Sequence, residues 1–273
     1  MAGHATEVST GERFEFGANW TNFLQTLDDE RIYQAERSLR EMIGLSDLTG
    51  KTFLDAGSGS GLFSLAARRL GAKVYSFDFD PKSVACSREL KRRYFTDDAD
   101  WTVEEGSVLD QAYLNKLGKF DIVYSWGVLH HTGSMWPALG NVEPLVTAGG
   151  RLFIAIYNDQ GGASKRWKIL KSLYNKYALL RFPLAIYTLV RQFTLTFIRD
   201  TLKGSPTKSW RVYKQQRGMS AWHDIVDWIC GYPFEVAKPE EIFSFYRDRG
   251  FRLDQLQTCA GGLGCNQFVF TRY

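Results

Sequence analysis

The sequence predicts an α/β fold: a mostly parallel sheet with helices on both faces, and a helical insertion late in the chain. Three observations carry this. Short apolar runs alternate with helical periods between residues 51 and 157. The first run ends in a glycine cluster, the mark of a buried strand entering a tight turn. After residue 160 the alternation stops, and a basic, aromatic, helix-patterned stretch runs to about residue 228.

The elements follow in order. Within residues 21–48, Phe23, Leu24, Leu27, Ile32, Ala35, Leu39, Met42 and Ile43 lie near helical spacing, giving one or two helices. Residues 52–55 are the first strand, and a helix at 62–70 is closed by Gly71. Residues 73–79 are the second strand. Pro81 and Lys82 open a helix to residue 94, with proline in the first turn where it is tolerated. Strands at 101–104, 120–125 and 151–157 alternate with helices at 111–117 and 135–146. Such alternation gives parallel strands buried on both faces. In the insertion, Trp167, Leu170, Leu173, Tyr174 and Tyr177 keep a helical period, and 184–198 continues it. Residues 178–198 are apolar but hold Arg181, Pro183 and Arg191. Charges at a bilayer centre are costly, so no membrane span is expected. A helix at 239–249 and strands at 251–259 and 265–272 finish the chain. Gly261, Gly262 and Gly264 lie between those strands, which are able to pair as a hairpin.

A length of 273 residues suits one large domain, or one domain with a sizeable insertion. With 44% hydrophobic and 23% charged residues, a packed soluble globule is expected and disorder is not. Cys86, Cys230, Cys259 and Cys265 have no CxxC spacing. They read as reduced thiols of a cytoplasmic protein, with no metal site or disulfide framework. The N-terminus has no apolar stretch of secretory type. Charge is segregated: residues 161–220 hold 13 Lys/Arg against Asp200 alone, a net +12, which leaves +4 − 12 = −8 elsewhere. Segregation on this scale points to an anionic partner, or to a solvated helical face.

The glycine cluster runs Asp55-Ala-Gly57-Ser58-Gly59-Ser-Gly61. A glycine turn between strand and helix gathers backbone N–H groups and a helix N-terminus at one point. The dinucleotide fingerprint G-x-G-x-x-G fails, because Leu62 stands at its last position. The P-loop fails for want of a lysine. A carboxylate ending the second strand can accept both hydroxyls of a ribose. Asp78 lies 21 residues after Gly57 and ends the run Val74-Tyr-Ser-Phe-Asp78; Asp80 competes, and reads better as the N-cap of the next helix.

An acid two residues before G-x-G-x-G resembles the first motif of class I S-adenosylmethionine-dependent methyltransferases. Glu105-Gly-Ser107-Val108-Leu-Asp110 resembles their segment beside the adenine, although Ser107 stands where many members have Asp. Residues 120–131, from Phe120 through Ser125-Trp126-Gly-Val-Leu to His130-His131, resemble their fourth motif. The resemblance, to members of the ubiquinone-biosynthesis type, covers residues 35–158 and 238–273. It implies a Rossmann-like seven-stranded sheet, mostly parallel, with an antiparallel C-terminal strand. It also implies S-adenosyl-L-methionine as cofactor and S-adenosyl-L-homocysteine as product. Asp55, Gly57, Ser58, Gly59 and Gly61 would meet the amino acid part, Asp78 the ribose, and Phe79, Ser107 and Val108 the adenine. The carbonyl of Ser125 or Trp126 would accept from the ammonium. Trp20, with Phe16, would close over the site.

Methyl transfer depends mainly on proximity and alignment, and needs a general base only for an acceptor protonated at neutral pH. Candidates are His130, His131, Tyr157 with Asn158 and Asp159, and His223 with Asp224; His4 is discounted as part of a mobile tail. The expected organisation is cap helices at 1–48, a cofactor-binding core at 49–160 and 236–273, and a basic, aromatic helical lid at 161–235. The lid combines its cations with Trp167, Tyr174, Tyr177, Phe182, Tyr187, Phe193, Phe197, Trp210 and Tyr213. An aromatic pocket rimmed by cations suits a small anionic or amphiphilic acceptor, methylated on oxygen or carbon. RNA is the alternative, since basic charge with aromatics also fits nucleic acid. A third reading is association with a membrane surface.

Overall fold

The computed structural model describes residues 3–202, 204 and 228–273. Contacts divide the chain into two compact units: Glu15–Gly161 with Phe234–Tyr273, and Met1–Phe14 with Gly162–Pro233. The N-terminal stretch expected as one piece therefore divides, its first fourteen residues going with the insertion.

The larger unit is built on seven strands: β1 (Thr52–Ala56), β2 (Lys73–Asp78), β3 (Trp101–Glu105), β4 (Phe120–Trp126), β5 (Val146–Tyr157), β6 (Phe251–Gln257) and β7 (Cys265–Arg272). Their order is β3-β2-β1-β4-β5-β7-β6. β1 to β5 are mutually parallel, and β7 runs antiparallel between β5 and β6. The direction of order reverses between β1 and β4, so the carboxyl ends of these strands open onto a switch-point crevice.

Three helices precede the sheet in the chain. α1 lies in the other unit (His4–Ser9), and α2 (Gly17–Gln25) and α3 (Asp29–Ile43) lie in this one. α3 forms where the period predicted a helix. Asp28 caps it by accepting from Arg31 N at 2.9 Å, and Gly44 ends it at φ 70°. α4 (Leu62–Arg69), α5 (Pro81–Tyr94), α6 (Gln111–Leu117), α7 (Met135–Val142) and, after the insertion, a helix at Pro239–Arg247 complete the layers. α7 stops short of the expected residue 146, because Pro144 lies in a 3-10 turn, Glu143–Leu145. Alternate residues of β1 feed opposite cores. Phe53 packs with Ile32, Leu39 and Leu65, and Leu54 packs with Leu139, Ile154 and Phe268. Each such side chain removed from water contributes about 1.5–3 kcal/mol.

The insertion opens with α8 (Gly162–Lys176) and α9 (Ala178–Leu202), so the helix at Pro239–Arg247 is α10. α1 answers the expectation that His4 sits in a loose tail, since it begins at that residue. Arg13 pairs with Glu7 at 2.6 Å, and Phe14 N donates to Tyr232 O at 2.9 Å. Lys171 is fully buried; its Nζ donates to Trp228 O and lies 4.2 Å over the Trp228 ring. Burial lowers its pKa to about 7, so one of the thirteen cations contributes little to the surface field. The insertion leaves and re-enters the sheet unit side by side: Asn158 and Ala237 form a parallel bridge, with Ala237 N to Tyr157 O at 3.0 Å and Asp159 N to Ala237 O at 3.1 Å. Among the described residues, no helix is long and apolar enough to cross a membrane.

Candidate functional site

The turn after β1 is shaped by its glycines. Gly57, Gly59 and Gly61 have φ of 88°, 54° and 82°, a region other residues enter at a cost. Gly57 N and Ser58 N both donate to Phe77 O, at 2.8 and 3.0 Å, which hangs the turn on the end of β2. Space is as restrictive as dihedral angle. A Cβ at Gly57 would lie 2.4 Å from Val128 Cγ1, and one at Gly61 2.8 Å from Ser87 Cα. Ser58 Oγ and Ser87 Oγ stand 3.0 Å apart, tying the turn to α5.

Asp78, at the tip of β2, meets this turn directly. Its Oδ2 accepts from Gly59 N at 2.8 Å and its Oδ1 from Asp80 N at 2.9 Å. Asp80 is the N-cap of α5: Oδ1 accepts from Lys82 N at 2.9 Å, while Oδ2 accepts from Gly17 N at 2.7 Å. One carboxylate thus holds two helix starts, as their partial positive charge favours. The contact with Gly17 seats α2, whose Trp20 comes over the turn; a Cβ at Gly59 would lie 3.0 Å from Trp20 Nε1. Phe16, at the start of α2, lies tilted against His131, with ring centroids 5.1 Å apart. The N-terminal aromatics therefore bridge the glycine turn and the end of β4.

Asp55 points away from the turn. It is 2% exposed, and its Oδ2 accepts from Ser64 Oγ. Behind it runs a buried relay: Trp101 Nε1 to Ser76 Oγ at 2.9 Å, then Ser76 Oγ to Ser64 Oγ at 2.8 Å. Burial raises the Asp55 pKa to about 7; the Ser64 hydrogen bonds oppose the rise and the charge of Asp78 adds to it. A carboxyl of ordinary pKa near 3.8 in the unfolded chain and near 7 in the fold favours the folded state when protonated. Its stabilisation is complete below pH 4 and lost as pH rises to 7. Relative to Asp55→Asn, the wild type should lose up to about 4 kcal/mol of unfolding free energy between pH 4 and pH 8. Denaturant titrations of both proteins across that range check this, and parallel pH profiles would dismiss it.

Beside the adenine motif, Ser107 Oγ accepts from Leu109 N at 3.2 Å, and Val108 is buried with its carbonyl accepting from Asn141 Nδ2 at 2.9 Å. Phe79 is half-buried beyond β2. Ser125 is fully buried, donating to Ala56 O at 2.8 Å. Trp126 turns its ring to β7, where Nε1 donates to Gln267 Oε1 at 3.0 Å. No sequence signal announced Gln267 as its partner, 141 residues on.

The chain then passes Val128, which packs on Gly57, into a 3-10 turn, Leu129–His131. His130 is fully buried, its Nδ1 accepting from Tyr157 N at 3.3 Å and its carbonyl from Glu235 N at 3.0 Å. Accepting an amide proton there fixes the neutral tautomer and holds the ends of β4 and β5 together. His131 is 8% exposed and stands edge-on to Tyr157 at 5.3 Å. Tyr157 in turn meets Phe234 at 5.3 Å. Asn158 and Asp159 are spent on turns: Asn158 Oδ1 accepts from Asn266 Nδ2, and Asp159 Oδ1 from Gly161 N. The proposed lid residues His223, Asp224, Trp210 and Tyr213 lie outside the described residues, as does the side chain of Phe193.

With this geometry in view, residues 54–152 match the protein family described as a methyltransferase domain. An ubiquinone biosynthesis O-methyltransferase of Xanthomonas oryzae pv. oryzae is 34% identical over 112 residues, 41% of this chain and 45% of that protein. A ribosomal protein L11 methyltransferase of Photobacterium profundum is 44% identical over 54 residues, 19% of this chain and 18% of that one. The chain thus spans less than half the length of these curated relatives. Among solved structures, magnesium protoporphyrin IX methyltransferase of Synechocystis PCC 6803, with bound S-adenosylhomocysteine, superposes with a TM-score of 0.52 at 15% identity, over 89% of this chain and 83% of that one. A 1,6-didemethyltoxoflavin-N1-methyltransferase of Burkholderia thailandensis gives 0.52 at 14% identity, over 100% and 91%. At such identities the likeness is one of fold. The seven-stranded sheet has the Rossmann-like fold of the class I methyltransferases.

Proposed function

We propose that this chain is an S-adenosylmethionine-dependent methyltransferase acting on a small-molecule acceptor. The observation that carries this is the joint between Gly59 N–H and the Asp78 carboxylate. It places a turn of three left-handed glycines, with no room for a Cβ at Gly57 or Gly61, beside the acid ending β2. The residues fit the cofactor: a bare backbone for close approach, a carboxylate able to accept further bonds from a ribose, and Trp20 over the turn. Phe79, Ser107 and Val108 line the adenine side, and Ser125 and Trp126 offer carbonyls to the ammonium. When bound, the cofactor supplies a methyl group already activated on a sulfonium sulfur.

The chain's own task is to hold and align. Trp20 and Phe16 keep water from the crevice, and Asp55 supports the turn from behind through Ser64. For a hydroxyl acceptor, His131 is the base: it lies at the end of β4 beside Tyr157, while the Nδ1 of His130 is committed to the Tyr157 amide. The acceptor is small and anionic or amphiphilic, a chemistry suited to a chain whose residues 161–220 carry 13 Lys/Arg against one acid. Among the described side chains of the insertion the expected aromatic pocket finds little support: Tyr177, Phe182, Tyr187 and Phe197 are exposed, and Trp167 is deeply buried. Arg181 and Arg191 serve packing, on carbonyls of α8 and over Trp167 respectively.

Incubation with methyl-labelled cofactor and a cell extract, followed by size fractionation, tests the reading. Label is expected in the small-molecule fraction, and to be lost in His131→Ala far more at low than at high pH if a hydroxyl is the acceptor. Label confined to RNA or protein would overturn the acceptor class, and no binding of S-adenosylhomocysteine would overturn the whole reading.

A further inference from the structure

α9 is amphipathic in the wrong sense for a helix on a protein surface. Among its described side chains the buried ones are Ala185, Thr188 and Asp200, small or polar residues. Several of its exposed side chains are large and apolar: Leu179 is 93% exposed, Ile186 37%, Val190 57% and Phe197 45%. Their spacing of seven, four and seven residues keeps all four along one line of the helix. At 1.5 Å per residue the line is about 27 Å long. Single exposed apolar residues need no explanation, but a continuous stripe marks a surface that binds something.

Charge selects the occupant. The stripe lies within the stretch 161–220, which carries 13 Lys/Arg and one acid. Of these, Lys165, Arg166, Lys168, Lys176, Arg181 and Arg199 are exposed on α8 and α9. A second copy of the chain would bring the same excess of positive charge against itself. An anionic bilayer answers both features, because acyl chains accept the stripe and lipid phosphates attract cations within a Debye length of the surface. The helix cannot cross the membrane, so it would lie in the interface.

We propose that α9 docks this protein on the surface of an anionic membrane, its Leu179–Phe197 line immersed at the headgroup boundary. This is independent of the methyl-transfer reading. Flotation with vesicles of equal parts phosphatidylglycerol and phosphatidylcholine is compared with flotation on phosphatidylcholine alone, using the full chain. Binding is expected to the anionic vesicles only, and to weaken steeply as salt rises. Leu179→Asp with Val190→Asp is expected to lower it at least about tenfold. Circular dichroism and S-adenosylhomocysteine affinity should not change, since neither side chain supports the fold or the glycine turn. Equal partition onto both vesicles, or wild-type behaviour of the double variant, would overturn the proposal. So would a dimer in sedimentation that the double variant splits, or capture of an acidic protein, without vesicle binding.

Discussion

Replacing Asp78 with alanine is expected to lower affinity for S-adenosylhomocysteine by about tenfold or more, since a hydrogen bond to a charged group contributes about 1.5–3 kcal/mol. Two losses combine. The carboxylate no longer meets a ribose, and Gly59 N–H and Asp80 N–H lose their acceptor at 2.8 and 2.9 Å. Asp78→Asn separates them. Its amide oxygen can still accept from Gly59, so the turn should lose less stability than in alanine, while the second acceptor and the charge are gone. The expected pattern is weak binding in both variants and the larger fall in melting temperature in alanine. Calorimetry showing unchanged affinity in Asp78→Ala would remove the ribose assignment.

Gly57→Ala should be strongly damaging. The new Cβ would lie 2.4 and 2.6 Å from the two methyls of Val128, on a residue at φ 88°. Left-handed backbone costs a non-glycine residue about 1–2 kcal/mol, and overpacking typically about 1–3 more. A loss of about 2–5 kcal/mol in unfolding free energy is expected, with cofactor binding falling alongside. Val128→Ala in the same chain removes the collision and leaves the dihedral cost. A double-mutant cycle should therefore show partial rescue. Additive effects would mean that Val128 does not set the space at Gly57.

The frame of this site was legible in the sequence because its signals are local. Period and turn chemistry marked β1, the glycine turn and α4, and Asp80 caps α5 as its place before Pro81 suggested. The direction in which side chains point was not legible. Asp55 turns to Ser64 because Ser76 and Trp101, on two later strands, complete a buried chain of donors. Trp126 turns to Gln267 for a like reason. In the insertion the helical spacing was legible, but spacing alone does not say which face is covered, and Leu179, Val190 and Phe197 are exposed. α1 escaped notice because six residues of mixed polarity carry no period.

The bridge between Asn158 and Ala237 has an evolutionary consequence. It fixes where the insertion begins and ends, whatever lies between. Closing a longer excursion between pinned ends costs little, about 0.6 kcal/mol for each doubling of its length. The stretch is thus a cassette that can be exchanged, lengthened or redrawn without disturbing β5 or α10. Selection could redraw the surface of the insertion while leaving the glycine turn untouched.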